Sequence, residues 1–195
     1  QCILRLTDSK LGIIADTHIG SPFMSWDKIY RAYDFFFDHD IHTVILLGDL
    51  FHGPSYRYKT NPNRGIIQCY QQFVDCEEHY PKGFQNFVLH GNHVEMNGFI
   101  ISLNHPGTRD TILPPEMDCD ISLYAHYHYF KKRGSQTNIG TCSNLINQNP
   151  SPGIDTPGFA ILYACNNKLR LKAYDLSDDD PKLMFTESYS KIKKR

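Results

Sequence analysis

Val44-Ile45-Leu46-Leu47-Gly48-Asp49-Leu50-Phe51-His52 decides the fold of this 195-residue chain. Four consecutive large apolar residues suit a strand buried on both faces, and Gly48 then lets the backbone turn sharply, which leaves Asp49 at the strand's mouth. Four further segments repeat the pattern of an apolar run followed by Asp, Asn or His. Ile13-Ile14-Ala15 leads into Asp16 and His18, and Phe87-Val88-Leu89 into Asn92 and His93. Ile100-Ile101-Ser102-Leu103 leads into His105, and Ile121-Ser122-Leu123-Tyr124-Ala125 into His126 and His128. Five strand ends are therefore expected to aim metal-type ligands at one place.

Around these strands the spacing predicts two amphipathic helices. Ser25 is suited to an N-cap, and Trp26, Ile29, Tyr30, Tyr33, Phe36 and Phe37 recur at helical spacing to about Asp38. This aromatic stripe reads as core packing, because periodicity alone explains it. Ile66, Ile67, Tyr70, Phe73 and Val74 mark a second helix ending near Tyr80-Pro81, so the first half reads βαβαβ. The second half has short strands and no long helix, and closes with a hairpin of Gly158 to Ala164 and Lys168 to Tyr174 around Cys165-Asn166-Asn167. One domain over residues 1–177 is expected, with residues 178–195 as a polar, solvated or weakly docked tail.

Composition narrows the chemistry. With 41% apolar residues the chain can bury a sizeable core, and 20 Lys plus Arg against 21 Asp plus Glu show no broad electrostatic commitment to nucleic acid or anionic membranes. The six cysteines contain no C-x-x-C pair, which argues against a zinc-thiolate site and gives no disulfide framework. Reduced thiols in a cytoplasmic protein are expected, and no apolar run approaches the roughly 18 to 20 residues that span a bilayer. The chain begins at Gln1, so a segment upstream is left open.

The mixture of carboxylate, amide and imidazole, without thiolate, is what a pair of hard-to-borderline divalent cations requires. Asp16-Thr17-His18, Gly48-Asp49-Leu50-Phe51-His52, Gly91-Asn92-His93, Leu103-Asn104-His105 and Ala125-His126-Tyr127-His128 together resemble the ordered motifs of the calcineurin-like metallophosphoesterases. The match runs from Leu11 to about His128. It implies an α/β sandwich of two packed mixed sheets flanked by helices, with the site at the C-terminal ends of strands. It also implies two divalent cations, Mn²⁺ first, with Zn, Fe, Mg or Ni as alternatives. By the resemblance the first metal takes Asp16, His18 and His128, and the second Asn92, His105 and His126, with Asp49 bridging. His93 then takes the position of a general acid.

In such a site metal coordination makes hydroxide available near neutral pH for in-line attack on phosphorus, with no protein nucleophile. The expected activity is hydrolysis of phosphodiesters, in a nuclease or nucleotide phosphodiesterase. A phosphomonoesterase is the main rival, and a scaffold the third reading, since the phosphoesterase-like subunit of retromer resembles this fold. The Gly-Asp-Leu-Phe-His string and Asp-Thr-His-Ile-Gly resemble the SbcD-type repair nucleases, whose capping region this chain lacks; His52 is accordingly a second catalytic candidate. Three departures from the family pattern stand out: Ala125 before the H-x-H pair, Val94 where an acid is usual, and His52 itself. Arg57, Lys59 and Arg64, in the loop after Asp49, are candidate substrate contacts, and Lys131-Lys132-Arg133 places further basic groups after His128. Single-stranded nucleic acid or a nucleotide is the expected partner, with no membrane span.

Overall fold

In a computed structural model, residues 3–52, 69–89, 91–105, 119–143 and 156–191 are described. The first strands, β1 (Ile3–Leu6) and β2 (Lys10–Ala15), precede α1 (Trp26–Asp38), β3 (Thr43–Leu47), α2 (Cys69–His79) and β4 (Gln85–Leu89). The order then runs β5 (Asn92–Met96), β6 (Phe99–Asn104), β7 (Ile121–Tyr124), β8 (Lys131–Arg133), β9 (Gln136–Asn138), β10 (Gly158–Cys165), β11 (Lys168–Asp175) and β12 (Lys182–Ser190). One sheet has the order β1-β5-β6-β7-β9-β8 and the other β12-β11-β10-β2-β3-β4. Both are mixed: β2, β3 and β4 are parallel to one another, whereas β10, β11 and β12 continue the same sheet antiparallel.

Alternation along the strands builds two apolar layers. Leu11 and Ile13 of β2 with Ile45 and Leu47 of β3 face the other sheet, where Ile101 and Leu123 meet them. Ile14, Val44 and Leu46 face the opposite way, against α1. The α1 residues that meet them, Ile29, Ala32, Tyr33 and Phe36, follow the i, i+3, i+4, i+7 rule and are all buried. Gly12 is required here, because a Cβ on it would lie 2.8 Å from the Phe36 ring. The Ser25 side chain accepts a 3.3 Å bond from the Lys28 N–H and caps the helix. Tyr33 and Phe36 of the aromatic stripe are core as expected and Trp26 is half-buried, but Tyr30 and Phe37 are 39% and 67% exposed on the outer side of the helix.

The structure alters one reading of the sequence. Residues 182–190, expected in a solvated tail, form β12 and pair along their length with β11. Polar composition hid a period of two: half-buried Phe185, Glu187 and Tyr189 alternate with exposed Met184, Thr186, Ser188 and Ser190. Those inward side chains close one side of the sandwich. Phe185 meets the Phe130 ring edge-on at 6.0 Å, and Glu187 pairs with Lys132 at 2.6 Å. Strands β5, β8 and β9 are likewise additions to the sequence reading. No helix among the described residues is long and apolar enough to cross a membrane.

Candidate metal centre

The two parallel strands β2 and β3 do not stop at their last ladder residues. The Asp16 N–H donates to the Leu47 carbonyl at 3.2 Å, the His18 N–H to Asp49 at 3.0 Å and the Ile19 N–H to Leu50 at 2.8 Å, so the two ligand loops run on as a pair. Gly48 sits at φ +90°, and a Cβ there would approach Asp16 Oδ1 and His105 Cδ2 to 2.5 Å each. Only glycine fits that position without displacing the site. From the other sheet β6 delivers His105, and β7 leads directly into His126 and His128.

Asp16 lies at the centre of this arrangement and is only 1% exposed. Its Oδ1 accepts from the Asp49 N–H at 3.2 Å and faces His105 Nε2 at 3.2 Å. Its Oδ2 accepts from the His126 N–H at 2.7 Å and lies 3.9 Å from His128 Nε2. Burial by itself would raise this carboxyl, but the His105 contact and the nearby imidazoles outweigh it and hold the pKa at about 2. Burial pushes His18 the other way, to about 4, against the pull of Asp16. His105 is lowered by burial yet raised more by Asp16 and Asp49, while burial and His105 depress His126.

Two candidate metal-binding clusters result, Asp16 with His18 and His128, and Asp16 with Asp49 and His105, each with its donor atoms within 4.8 Å of one another. His18 Nε2 and His128 Nε2 are 3.4 Å apart. Two imidazole nitrogens and a buried carboxylate at that spacing, with no thiolate, form a donor set that suits a divalent cation of the Zn, Mn or Fe kind. Asp16 belongs to both clusters and Asp49 to one. The His126 ring is 5.0 Å from that of His105, so its imidazole stands beside the second cluster while its backbone N–H serves Asp16. His52 lies 5.8 Å from the His18 ring, centroid to centroid, and burial lowers its pKa. Asn92 and His93 open β5, paired opposite Leu103 and Ser102 of β6.

Some sequence expectations fall elsewhere. Arg57, Lys59 and Arg64 lie outside the described residues, as does the side chain of Asn92. Lys132 is engaged with Glu187, and its ammonium also sits 5.9 Å over the Tyr189 ring, so it serves the sandwich edge rather than a phosphate. Glu95, one place after the unusual Val94, pairs with Arg5 of β1 at 3.1 Å, while Val94 fills the core between the sheets. Asn138, Thr141 and Ser143, at and just after the end of β9, are buried polar residues that no motif or periodic pattern marks in the sequence.

A sandwich of two mixed sheets, with helix α1 packed on one outer face and Asp–His clusters at the strand ends, is a metallophosphoesterase-like fold. Among solved structures the chain is similar to Vps29 from Chaetomium thermophilum, at 14% identity and a TM-score of 0.61 over 95% of this chain and 100% of that one. It is also similar to Vps29 from Entamoeba histolytica complexed with Zn²⁺, at 18% identity and a TM-score of 0.57 over 92% of this chain and 98% of that one. Vacuolar protein sorting 29 from Cryptosporidium parvum gives 18% and 0.58 over 94% and 98%. At such identities the likeness is one of fold. Neither a protein-family model nor a curated protein sequence matches the chain.

Proposed function

We propose that this protein is a dinuclear-metal phosphoesterase that prefers phosphodiesters, with nucleotides or single-stranded nucleic acid as its substrates. The observation that carries this reading is the buried Asp16 carboxylate, common to two His-containing clusters at the ends of β2, β3, β6 and β7. Asp16, His18 and His128 would hold one cation; Asp49 and His105, joined by Asn92 and His126, would hold the second, and Asp49, which falls in one cluster only, would turn to bridge the pair. Mn²⁺ is the preferred ion, and the Zn²⁺ complex of the Entamoeba histolytica Vps29 keeps zinc in consideration. Cations bound there would supply Lewis acidity and an acidified water near neutral pH.

The remaining work falls to the chain. His93, next to Asn92 on β5 and offset to the other side of the strand, donates a proton to the leaving oxygen. His52 stands beside His18 and positions the phosphoryl group from the β3 loop. His18, depressed to about 4, is neutral and ready to ligate across the physiological range. Near-zero net charge fits a short footprint on a polyanion rather than long duplex binding.

A peptide-binding scaffold is the second reading, favoured by one observation: the Chaetomium thermophilum Vps29, similar to this chain with a TM-score of 0.61, was also solved with a cyclic peptide. Metal content and turnover separate the readings. The Mn²⁺-loaded protein should hold two ions per chain, cleave bis-(nitrophenyl) phosphate faster than the mono-ester, and cut a labelled single-stranded oligonucleotide with a shallow salt dependence. Faster monoester turnover without oligonucleotide cleavage would make it a phosphomonoesterase. Bound metal with no turnover of either ester would favour the scaffold.

A further inference from the structure

The ligand loops of the first cluster come from different sheets, Asp16 and His18 from the β2 end and His128 from the β7 end, and something must fix their separation. Four of the residues involved carry positive φ: Asp16 at +48°, His18 at +49°, His126 at +87° and His128 at +58°. Non-glycine residues there are costly, and they persist where surrounding structure over-determines them. Residues 138–143, which cross from β9 in one sheet toward β10 in the other, touch both loops. On the β7 side the Ile139 N–H donates to the Tyr124 carbonyl at 2.8 Å, and Asn138 Nδ2 donates to the Tyr129 carbonyl, one residue past His128. On the β2 side the Cys142 N–H donates to Ala15 at 2.8 Å, and Thr141 Oγ1 donates to the Asp16 carbonyl at 2.8 Å.

The geometry points to this crossover as a clasp that sets the spacing of the first metal's ligands, with Thr141 as its positioning residue. The inference rests on the metal-centre reading. A carbonyl can only accept, so the single Thr141 proton goes to Asp16; the 2.8 Å contact with Ser143 Oγ must then be a bond that Ser143 donates. The result is a chain from the Ser143 hydroxyl through Thr141 to the Asp16 backbone, with both hydroxyl residues 1% exposed. In a buried site such a chain strengthens each of its bonds. Ser143 is in turn bridged to Met24, in the turn ahead of α1.

The other side of the crossover is closely packed. A Cβ on Gly140 would lie 2.4 Å from the Thr156 carbonyl oxygen and 2.7 Å from the Phe130 ring, and the Gly158 N–H donates to the Thr141 carbonyl at 2.8 Å. Pinned there, the Thr141 hydroxyl acts as a fixed post against which the Asp16 turn is held. Outer-shell groups of this kind set ligand orientation rather than contact the ion.

Thr141→Val keeps the shape and removes the hydroxyl, whereas Thr141→Ser keeps the hydroxyl and removes the methyl. Metal affinity is read by titrating Mn²⁺ or Zn²⁺ into the metal-free full chain. Backbone exchange of the peptide covering Asp16 to Gly20 is followed in the absence of metal. Thr141→Val should weaken binding about 10- to 100-fold and raise exchange in that peptide, and Thr141→Ser should stay within a few fold of the unaltered protein. Ser143→Ala, which leaves the Thr141 bond in place, should fall between them and serves if Thr141→Val does not fold. Unchanged affinity in Thr141→Val, or equal losses in Thr141→Val and Thr141→Ser, would overturn the clasp, as would unchanged affinity in Ser143→Ala where Thr141→Val does not fold. Failure of the unaltered protein to bind either metal would instead overturn the metal-centre reading on which the clasp rests.

Discussion

Asp16 shows how little room the site leaves for change. Its two carboxylate oxygens accept two backbone N–H bonds and face two imidazoles, so every neighbour depends on its charge. Asp49 is different: 44% of its side chain is exposed, which leaves it free to turn toward a second ion. If Asp49 bridges two cations as proposed, Asp49→Ala loses occupancy of both metals, because two cations at short range repel strongly once the bridging carboxylate is gone. Metal analysis of the purified variant checks this; two ions retained at the original affinity would remove Asp49 from the bridge. His93→Ala should keep its metals and lose about 10² to 10⁴ fold in rate, with less loss for an ester whose leaving group needs no proton. Equal losses for good and poor leaving groups would deny His93 the acid role.

The β2–β3 pair carries the most information of any element, since its register aligns Ala15 with Leu47 and so brings the Asp16 and Asp49 loops side by side. Gly48 sits at the end of β3 and is under two separate constraints, a positive φ and the absence of space. Gly48→Ala should therefore destabilise the fold by about 1–3 kcal/mol and displace Asp16 or His105. A lowered midpoint in urea together with weakened metal binding is the expected result; a variant with native affinity would show that the loop absorbs the methyl group. At the outer end of the same sheet β12 links the two halves, as Lys132 with Glu187 and Tyr189 near Thr137 show. The stretch read as a tail thus belongs to the sandwich.

Taken whole, the molecule buries titratable groups whose shifts give its stability a pH dependence. His18 takes up a proton at about 4 in the folded chain against 6.5 when unfolded, and Asp16 at about 2 against 3.8. Both are depressed, so their contribution is full above the unfolded values and is lost as pH falls toward the folded ones. His105 is raised, so its contribution has the opposite sign and is lost as pH rises. On the alkaline side burial pushes Cys142 up to about 12 from 9, and Tyr33 and Tyr80 beside it are also raised. Stability present below pH 9 should decline as pH rises toward 12, and Cys142→Ala should make that decline shallower. Urea midpoints of metal-free protein across the pH range test this; equal alkaline slopes in the two chains would rule out Cys142 as a source.

The sequence alone determined the strands that carry carboxylates and imidazoles at their ends, since four apolar residues before Gly48-Asp49 make a buried strand with a carboxylate at its mouth. It also determined α1, where periodicity and an N-cap coincide. Local chemistry was enough for these, because each signal lies within one element. Only the tertiary structure decided what needs two sheets at once. It made Asp16 common to both clusters, turned Lys132 and Glu95 to ion pairs away from the ligands, recruited residues 182–190 as a strand and set Thr141 behind the Asp16 turn. The bonds that Asp16 makes with Asp49 and Thr141 join residues 33 and 125 positions apart, and a hydroxyl or a lysine carries no mark in the sequence of which distant partner will claim it.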